Sequence, residues 1–187
     1  MKIRYNAPTI LTYAFFCAAV MALTVTWLPG LVHDWFTVPG KGNFSPSSPR
    51  HWLTLLTHIA GHSGWNHLVA NFSLILLIGP MLEESYGSIS LLAMIAITAF
   101  ITGILNVIFF PTGLMGASGV VFMMILLASF TNFSRGEIPL TFILVLVLYL
   151  GDQLLKSFSA GNISYFAHIA GGFCGSLFGF FIPPRRY

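Results

Sequence analysis

The sequence predicts an all-α polytopic membrane protein, a compact bundle of six transmembrane helices, and three observations predict it. Of 187 residues, 56% are hydrophobic and only 7% charged, against roughly a quarter charged in soluble domains. So few charges cannot coat a water-soluble globule, and the solvent of such a chain is lipid. Apolar stretches of about 17 to 25 residues, the length that crosses the hydrocarbon, recur along the chain. They lie at 8–28, 65–82, 89–110, 114–130, 138–155 and 163–182. Neither a tandem repeat nor a soluble segment interrupts the series, so residues 1–187 read as a single membrane domain.

The first span follows Lys2 and Arg4, as a signal peptide would. Its apolar run is too long for such a leader and lacks an evident small-residue cleavage site, so it is expected to be retained. The first loop, 31–64, carries Pro39-Gly40-Lys41-Gly42 and Ser45-Pro46-Ser47-Ser48-Pro49. A Trp- and His-bearing amphipathic stretch follows and suits the membrane interface. The second and third spans are long enough to cross. The fourth, about 17 residues, is short for a crossing, which sets its start below the membrane surface. The fifth and sixth close the bundle.

Net charge is +3, from scattered Lys and Arg with neither a basic stripe nor a nucleic-acid motif, so nucleic acid is not an expected partner. Lys2, Arg4, Arg135, Arg185 and Arg186 fall on one side if the spans alternate, with Lys41, Arg50 and Lys156 opposite. The positive-inside rule then puts both termini in the cytoplasm and the first loop outside. Glu83 and Glu84 also fall on the cytoplasmic side and count for little in that rule. Cys17 and Cys174 sit in apolar runs, behave as small hydrophobes, and leave the redox compartment unread.

Polar side chains inside spans are costly unless paired or hydrated, which makes each a functional candidate. His67 and Asn71 stand four residues apart on one face of span two. Ser118 lies near the start of span four within Gly116-Ala117-Ser118-Gly119, and His168 lies in span six within Ala167-His168-Ile169-Ala170-Gly171. Taken singly, each has an ordinary structural use: packing for a glycine-flanked serine, an interfacial role for a histidine, an interhelical hydrogen bond for Asn71. Asn106 can satisfy itself through neighbouring carbonyls and is set aside.

Their placement favours chemistry. Spans two, four and six run in the same direction, and all four residues lie within about two turns of a span start, so they share one depth. On the positive-inside reading, that depth is the outer leaflet. A serine and a histidine at one level supply a nucleophile and a general base. The Ser118 backbone N–H, the Asn71 amide and His67 supply oxyanion donors. The acids Asp34, Glu83, Glu84, Glu137 and Asp152 all lie elsewhere, so a Ser118–His168 dyad fits better than a triad. Gly116 and Gly119 are expected to let a substrate backbone approach. Gly171, Gly175 and Gly179 form a small-residue stripe suited to close packing, best placed against span four. Phe122 and Phe166, among 18 phenylalanines, read first as core or lipid-facing.

At these residues the sequence resembles the rhomboid intramembrane serine proteases. His67-Leu68-Val69-Ala70-Asn71, Gly116-Ala117-Ser118-Gly119 and Ala167-His168-Ile169-Ala170-Gly171 match the family's HxxxN, GxSG and AHxxG motifs, in order. Glu83-Glu84-Ser85-Tyr86-Gly87-Ser88 is similar to its acidic, glycine-ended turn. The resemblance spans roughly residues 50 to 180. It implies a six-helix domain that cleaves transmembrane helices of other proteins near the outer surface, without cofactor or metal. It also implies a first loop partly in the bilayer, a capping loop around 155–162, and a fifth span that helps gate access. Two positions depart. Arg50-His51-Trp52 has its arginine before the tryptophan, where the family often has Trp-Arg, and this bears on how the loop is anchored. Phe122 stands where many members carry a tyrosine that stacks on the histidine, so the face is kept and the hydroxyl lost.

The expectation is therefore a serine endopeptidase of a bacterial inner or plasma membrane, acting on transmembrane protein substrates within the lipid bilayer. The small size and the lack of an organelle presequence favour a bacterium. A rhomboid-like protein that binds or chaperones membrane helices without cutting them is the alternative, and intact Ser118 and His168 argue against it. A transporter or channel would want broken helices or mid-membrane charges, which the spans do not show.

Overall fold

A proline opens the first helix, where its missing N–H and fixed φ do no harm. Helix α1 (Pro8–Thr26) has no capping side chain of its own at Ala7. Its orphan amides are met instead by a distant carboxylate: Thr9 and Ile10 N–H donate to Glu83 at 2.8 and 3.1 Å, and the Ser88 hydroxyl donates to the same group at 2.6 Å. A carboxylate there also complements the helix dipole. The computed structural model describes residues 2–130, 138, 140–145, 147–148 and 163–185.

Glu83 sits in the last turn of α4 (Trp65–Tyr86). Gly87, with φ of 83°, ends that helix and starts α5 (Ser88–Phe109). The span expected to end at residue 82 therefore continues one turn further as helix, because Glu83 is bonded rather than bare. Helices α1, α4 and α5 are each long and apolar enough to cross a membrane.

The first loop is ordered into α2 (Leu31–Trp35), α3 (Pro49–Thr57) and a 3-10 turn (His58–Ala60). Helix α3 packs on α5, with Leu55 buried, while Trp52, Leu53 and Leu56 stay exposed. The Thr57 hydroxyl donates to Trp35 O and the Tyr13 hydroxyl to Ile59 O at 2.8 Å, tying the loop to itself and to α1.

The fourth span differs from its expectation. Residues 114–117 are not helical, and α6 runs only over Ser118–Ala128. Its 11 residues rise about 16 Å, roughly half the hydrocarbon thickness. Leu114 instead exchanges backbone hydrogen bonds with Val38 at 2.9 and 3.0 Å, and Gly116 N–H donates to His58 O at 3.0 Å. These bonds fix the segment that leads to the serine. Gly119 to Leu127 are all buried, which makes α6 the central helix.

Helix α7 (Leu140–Val145) is part of the expected fifth span, whose remaining residues lie largely outside the described ones. The capping loop at 155–162, and Arg135, Glu137, Asp152, Lys156 and Arg186, lie outside them too. Helix α8 (Ile163–Phe181) makes the most extensive interhelical contact of the bundle, with α6. The described residues are thus helical and membrane-suited, with three helices of full spanning length and shorter apolar helices in α6 and α8.

Candidate active site

The contact between α6 and α8 explains how the candidate residues come together. A Cβ on Gly171 would stand 2.0 Å from Gly119 O, and one on Gly175 2.1 Å from Met123 O. The glycine stripe of α8 therefore lies directly on the α6 backbone, as expected of small residues in membrane helices. Ala167 O also reaches Gly119, at 3.4 Å from the Cβ position. Ala167 and Gly171 bracket His168 in sequence, and both meet the residue next to Ser118. The contacts seen do not include a hydrogen bond between the Ser118 hydroxyl and the His168 ring.

Ser118 is the first residue of α6, where helix amides have no intrahelical partner. It is half-buried between fully buried Ala117 and buried Gly119. His168 is also half-buried. Its imidazole stacks on the Phe122 ring, centroids 4.3 Å apart and planes within 8°. Phe122 lies one turn along α6 from Ser118, so the ring fixes the imidazole plane over the start of that helix. Phe166 packs instead against Phe109 and Phe110.

His67 enters from α4. Its ring lies over Gly116, where a Cβ would stand 2.8 Å from Cε1 and 2.9 Å from Nε2. Gly116 also has φ of 118°, so the position excludes a side chain on both counts. The glycines of GxSG thus make room for protein groups: Gly116 for the His67 imidazole, Gly119 for Thr102 and α8. His67 Nδ1 accepts from Ser63 N–H at 3.5 Å and lies 3.1 Å from the Ser63 hydroxyl. An accepting Nδ1 places the ring proton on Nε2, the nitrogen over Gly116. Asn71 is buried, donates one amide hydrogen to His67 O at 3.1 Å, and keeps a second.

Two histidines missed in the sequence stand behind this site. His58 is buried, and its ring Nδ1 lies 3.2 Å from Thr54 O and its Nε2 3.4 Å from the Thr102 hydroxyl. His62 is buried with its ring 5.0 Å from that of His67, edge to face. Its Nδ1 lies 3.3 Å from Ala60 O, and its Nε2 is buried with no partner among the described residues. Burial pushes the imidazoles of both down to about 4, helped in His62 by the nearby His67. The signal was present as histidines at 58, 62 and 67, stepping toward span two. Asn106, set aside earlier, donates to Thr112 O at 3.2 Å and steadies the segment leading to Ser118. Among the described residues, no cluster of three His, Cys, Asp or Glu is placed to hold a metal.

Chemically, the arrangement offers a hydroxyl at a helix start, an imidazole held by an aromatic face, and two further donors from α4. A protein-family model described as the Rhomboid domain matches residues 49–185. Rhomboid-related protein 1 of Caenorhabditis elegans is 31% identical over 165 residues, covering 81% of this chain and 46% of that protein. RHOMBOID-like protein 7 of Arabidopsis thaliana is 30% identical, covering 68% of this chain and 42% of that protein. The chain thus matches under half the length of either. A Bacillus subtilis (strain 168) protein, YdcA, whose name marks it as a candidate rhomboid protease, is 30% identical over 73% of this chain and 71% of its own length.

Proposed function

The chain belongs to the rhomboid family, and on that premise we propose that it is an intramembrane serine protease that cleaves transmembrane helices of other membrane proteins with a Ser118–His168 dyad. The observation that carries the reading is the stacking of His168 on Phe122, one turn from Ser118, across the close α6–α8 contact. Hydrogen bonds of a catalytic pair are commonly loose before substrate arrives and tighten around it.

In the proposed cycle the Ser118 hydroxyl attacks a substrate carbonyl while His168 takes its proton and passes it to the leaving amine. Water, deprotonated by His168, then hydrolyses the acyl-enzyme and frees Ser118. The oxyanion of each tetrahedral intermediate receives the Ser118 N–H, the His67 Nε2–H and the spare Asn71 amide hydrogen. Substrates are helices that unwind readily near the site, since a hydrogen-bonded helical amide resists attack. The distribution of Lys and Arg supports cytoplasmic termini and a site toward the outer face, and the similarity to a Bacillus subtilis protein supports a bacterial inner or plasma membrane.

The test is cleavage of a reporter transmembrane segment by the reconstituted protein. Wild type cuts; Ser118→Ala and His168→Ala bind the segment and leave it intact. Cleavage that survives Ser118→Ala overturns the assignment. A helix-binding function without proteolysis is favoured if wild type captures the segment and never cuts it.

A further inference from the structure

The first loop carries charges that neither the bundle nor the proposed chemistry uses. A pocket of about 330 Å³ opens there, lined among others by His33, Asp34, Asn43, Arg50, His51 and Thr54. We propose that this pocket holds the headgroup of a zwitterionic phospholipid, phosphate toward Arg50 and amine toward Asp34.

Location is the first argument. Trp27, Trp35, Trp52 and Trp65 are all exposed, and all stand at the Ser118 end of the bundle, at the close of α1, in the first loop and at the start of α4. Tryptophans with that distribution sit at headgroup level. The pocket therefore opens among lipid headgroups, while exposed Leu53 and Leu56 on α3 continue an apolar surface for the acyl chains.

Charge is the second. The pocket is lined by both a carboxylate and a guanidinium, and they do not neutralise each other. Asp34 meets the ring Nδ1 of its neighbour His33 at 3.0 Å, and Arg50 meets no carboxylate among the described residues. Asp34 also borders a second recess, of about 340 Å³, lined by Trp27, Leu28 and Trp35. A carboxylate beside two indole rings suits an ammonium group. An arginine beside histidines suits a phosphate. An anionic headgroup would face Asp34 unfavourably, and a simple cation would face Arg50. A zwitterion satisfies both.

Preorganisation is the third. Ser45 N–H donates to His51 Nδ1 at 2.8 Å, which leaves the proton on Nε2 as a donor. The Val38–Leu114 bridge and the Thr57 to Trp35 bond hold the flanking segments in place.

The experiment uses the full chain in nanodiscs of equimolar phosphatidylethanolamine and phosphatidylglycerol, with retained lipid counted by native mass spectrometry after release. Wild type should retain the ethanolamine lipid over the glycerol lipid by about fivefold, the scale of one modest polar contact. Asp34→Asn should erase that preference while retaining phospholipid, and Arg50→Gln should reduce retention of both lipids. An unchanged melting temperature of Asp34→Asn shows that its fold is intact, so that the erased ratio reports the pocket. Soluble glycerophosphoethanolamine or inorganic phosphate, added at millimolar concentration, should displace the lipid poorly. Equal retention of the two lipids by wild type, an unchanged ratio in Asp34→Asn, unchanged retention in Arg50→Gln, or full displacement by inorganic phosphate each overturn the proposal.

Discussion

The two ends of the bundle use the same backbone device for different purposes. At one end Gly87, with φ of 83°, lies under the Arg185 guanidinium; at the other Gly116, with φ of 118°, lies under the His67 imidazole. Around Gly87 the covering group belongs to a clasp. The Arg185 backbone N–H donates to Ser85 O at 2.7 Å, and the neighbouring Glu83 carboxylate accepts from Thr9, Ile10 and Ser88. The Tyr86 hydroxyl alone is left there without a partner among the described residues. Around Gly116 the covering imidazole is bonded on its Nδ1 side and keeps Nε2 for something else. A positive-φ glycine under a nitrogen-bearing side chain is thus no signature of chemistry. What differs is the surroundings: hydrogen bonds tying chain segments together around Gly87, and an imidazole that keeps its Nε2 over Gly116.

That contrast can be broken by adding one methyl at each end. Gly116→Ala places a Cβ against the His67 ring in a backbone conformation that resists it. On the proposed mechanism it removes one oxyanion donor and should lower kcat by about 10²- to 10³-fold. Reporter cleavage under single-turnover conditions checks this, and an unchanged rate would detach His67 from the chemistry. Acid should act on the same end. His58 and His62 are buried with imidazoles at about 4, against 6.5 when free. A depressed folded value means that stability is full above 6.5 and is lost as pH falls toward 4, because the unfolded chain binds protons the folded one refuses. Melting of wild type should therefore drop across that window, and His62→Gln should flatten the drop.

Gly87→Ala should cost about 1 to 3 kcal/mol of stability, through backbone strain and displacement of Arg185. It should leave the cleavage rate per folded molecule unchanged, and a large kcat effect would mean that the two ends are coupled. The smallest effect is expected from Phe122→Tyr, which keeps the ring on His168 and adds a hydroxyl. Cleavage efficiency should shift by less than about threefold, measured as kcat/KM on the same reporter.

Much of this architecture could be read from the residues, and the gaps have physical causes. Hydropathy located α1, α4, α5 and α8 because lipid is their solvent and each begins or ends near a proline, a glycine or a charge. It misplaced the start of α6, since Leu114 and Met115 are apolar yet Leu114 pairs its backbone with Val38. Apolarity reports the surroundings of a residue and not its φ and ψ. In the sequence Glu83 reads as a topological charge of little weight, whereas it caps a helix 74 residues away, a partner that no local pattern reveals. In the sequence Gly116 reads as room for a substrate backbone; the structure brings the His67 ring of α4 over it. Phe122 offered two readings, core or stacking partner, and only the approach of α8 distinguished them.

The central claim is that Ser118 is a nucleophile activated by its setting. The most direct measurement treats the protein in bilayer nanodiscs with a fluorophosphonate and locates the adduct by peptide mass spectrometry. The account predicts a single phosphonyl group on Ser118, absent from Ser118→Ala and much reduced in His168→Ala. A wild-type protein that cleaves its reporter yet carries the adduct on another residue would contradict it.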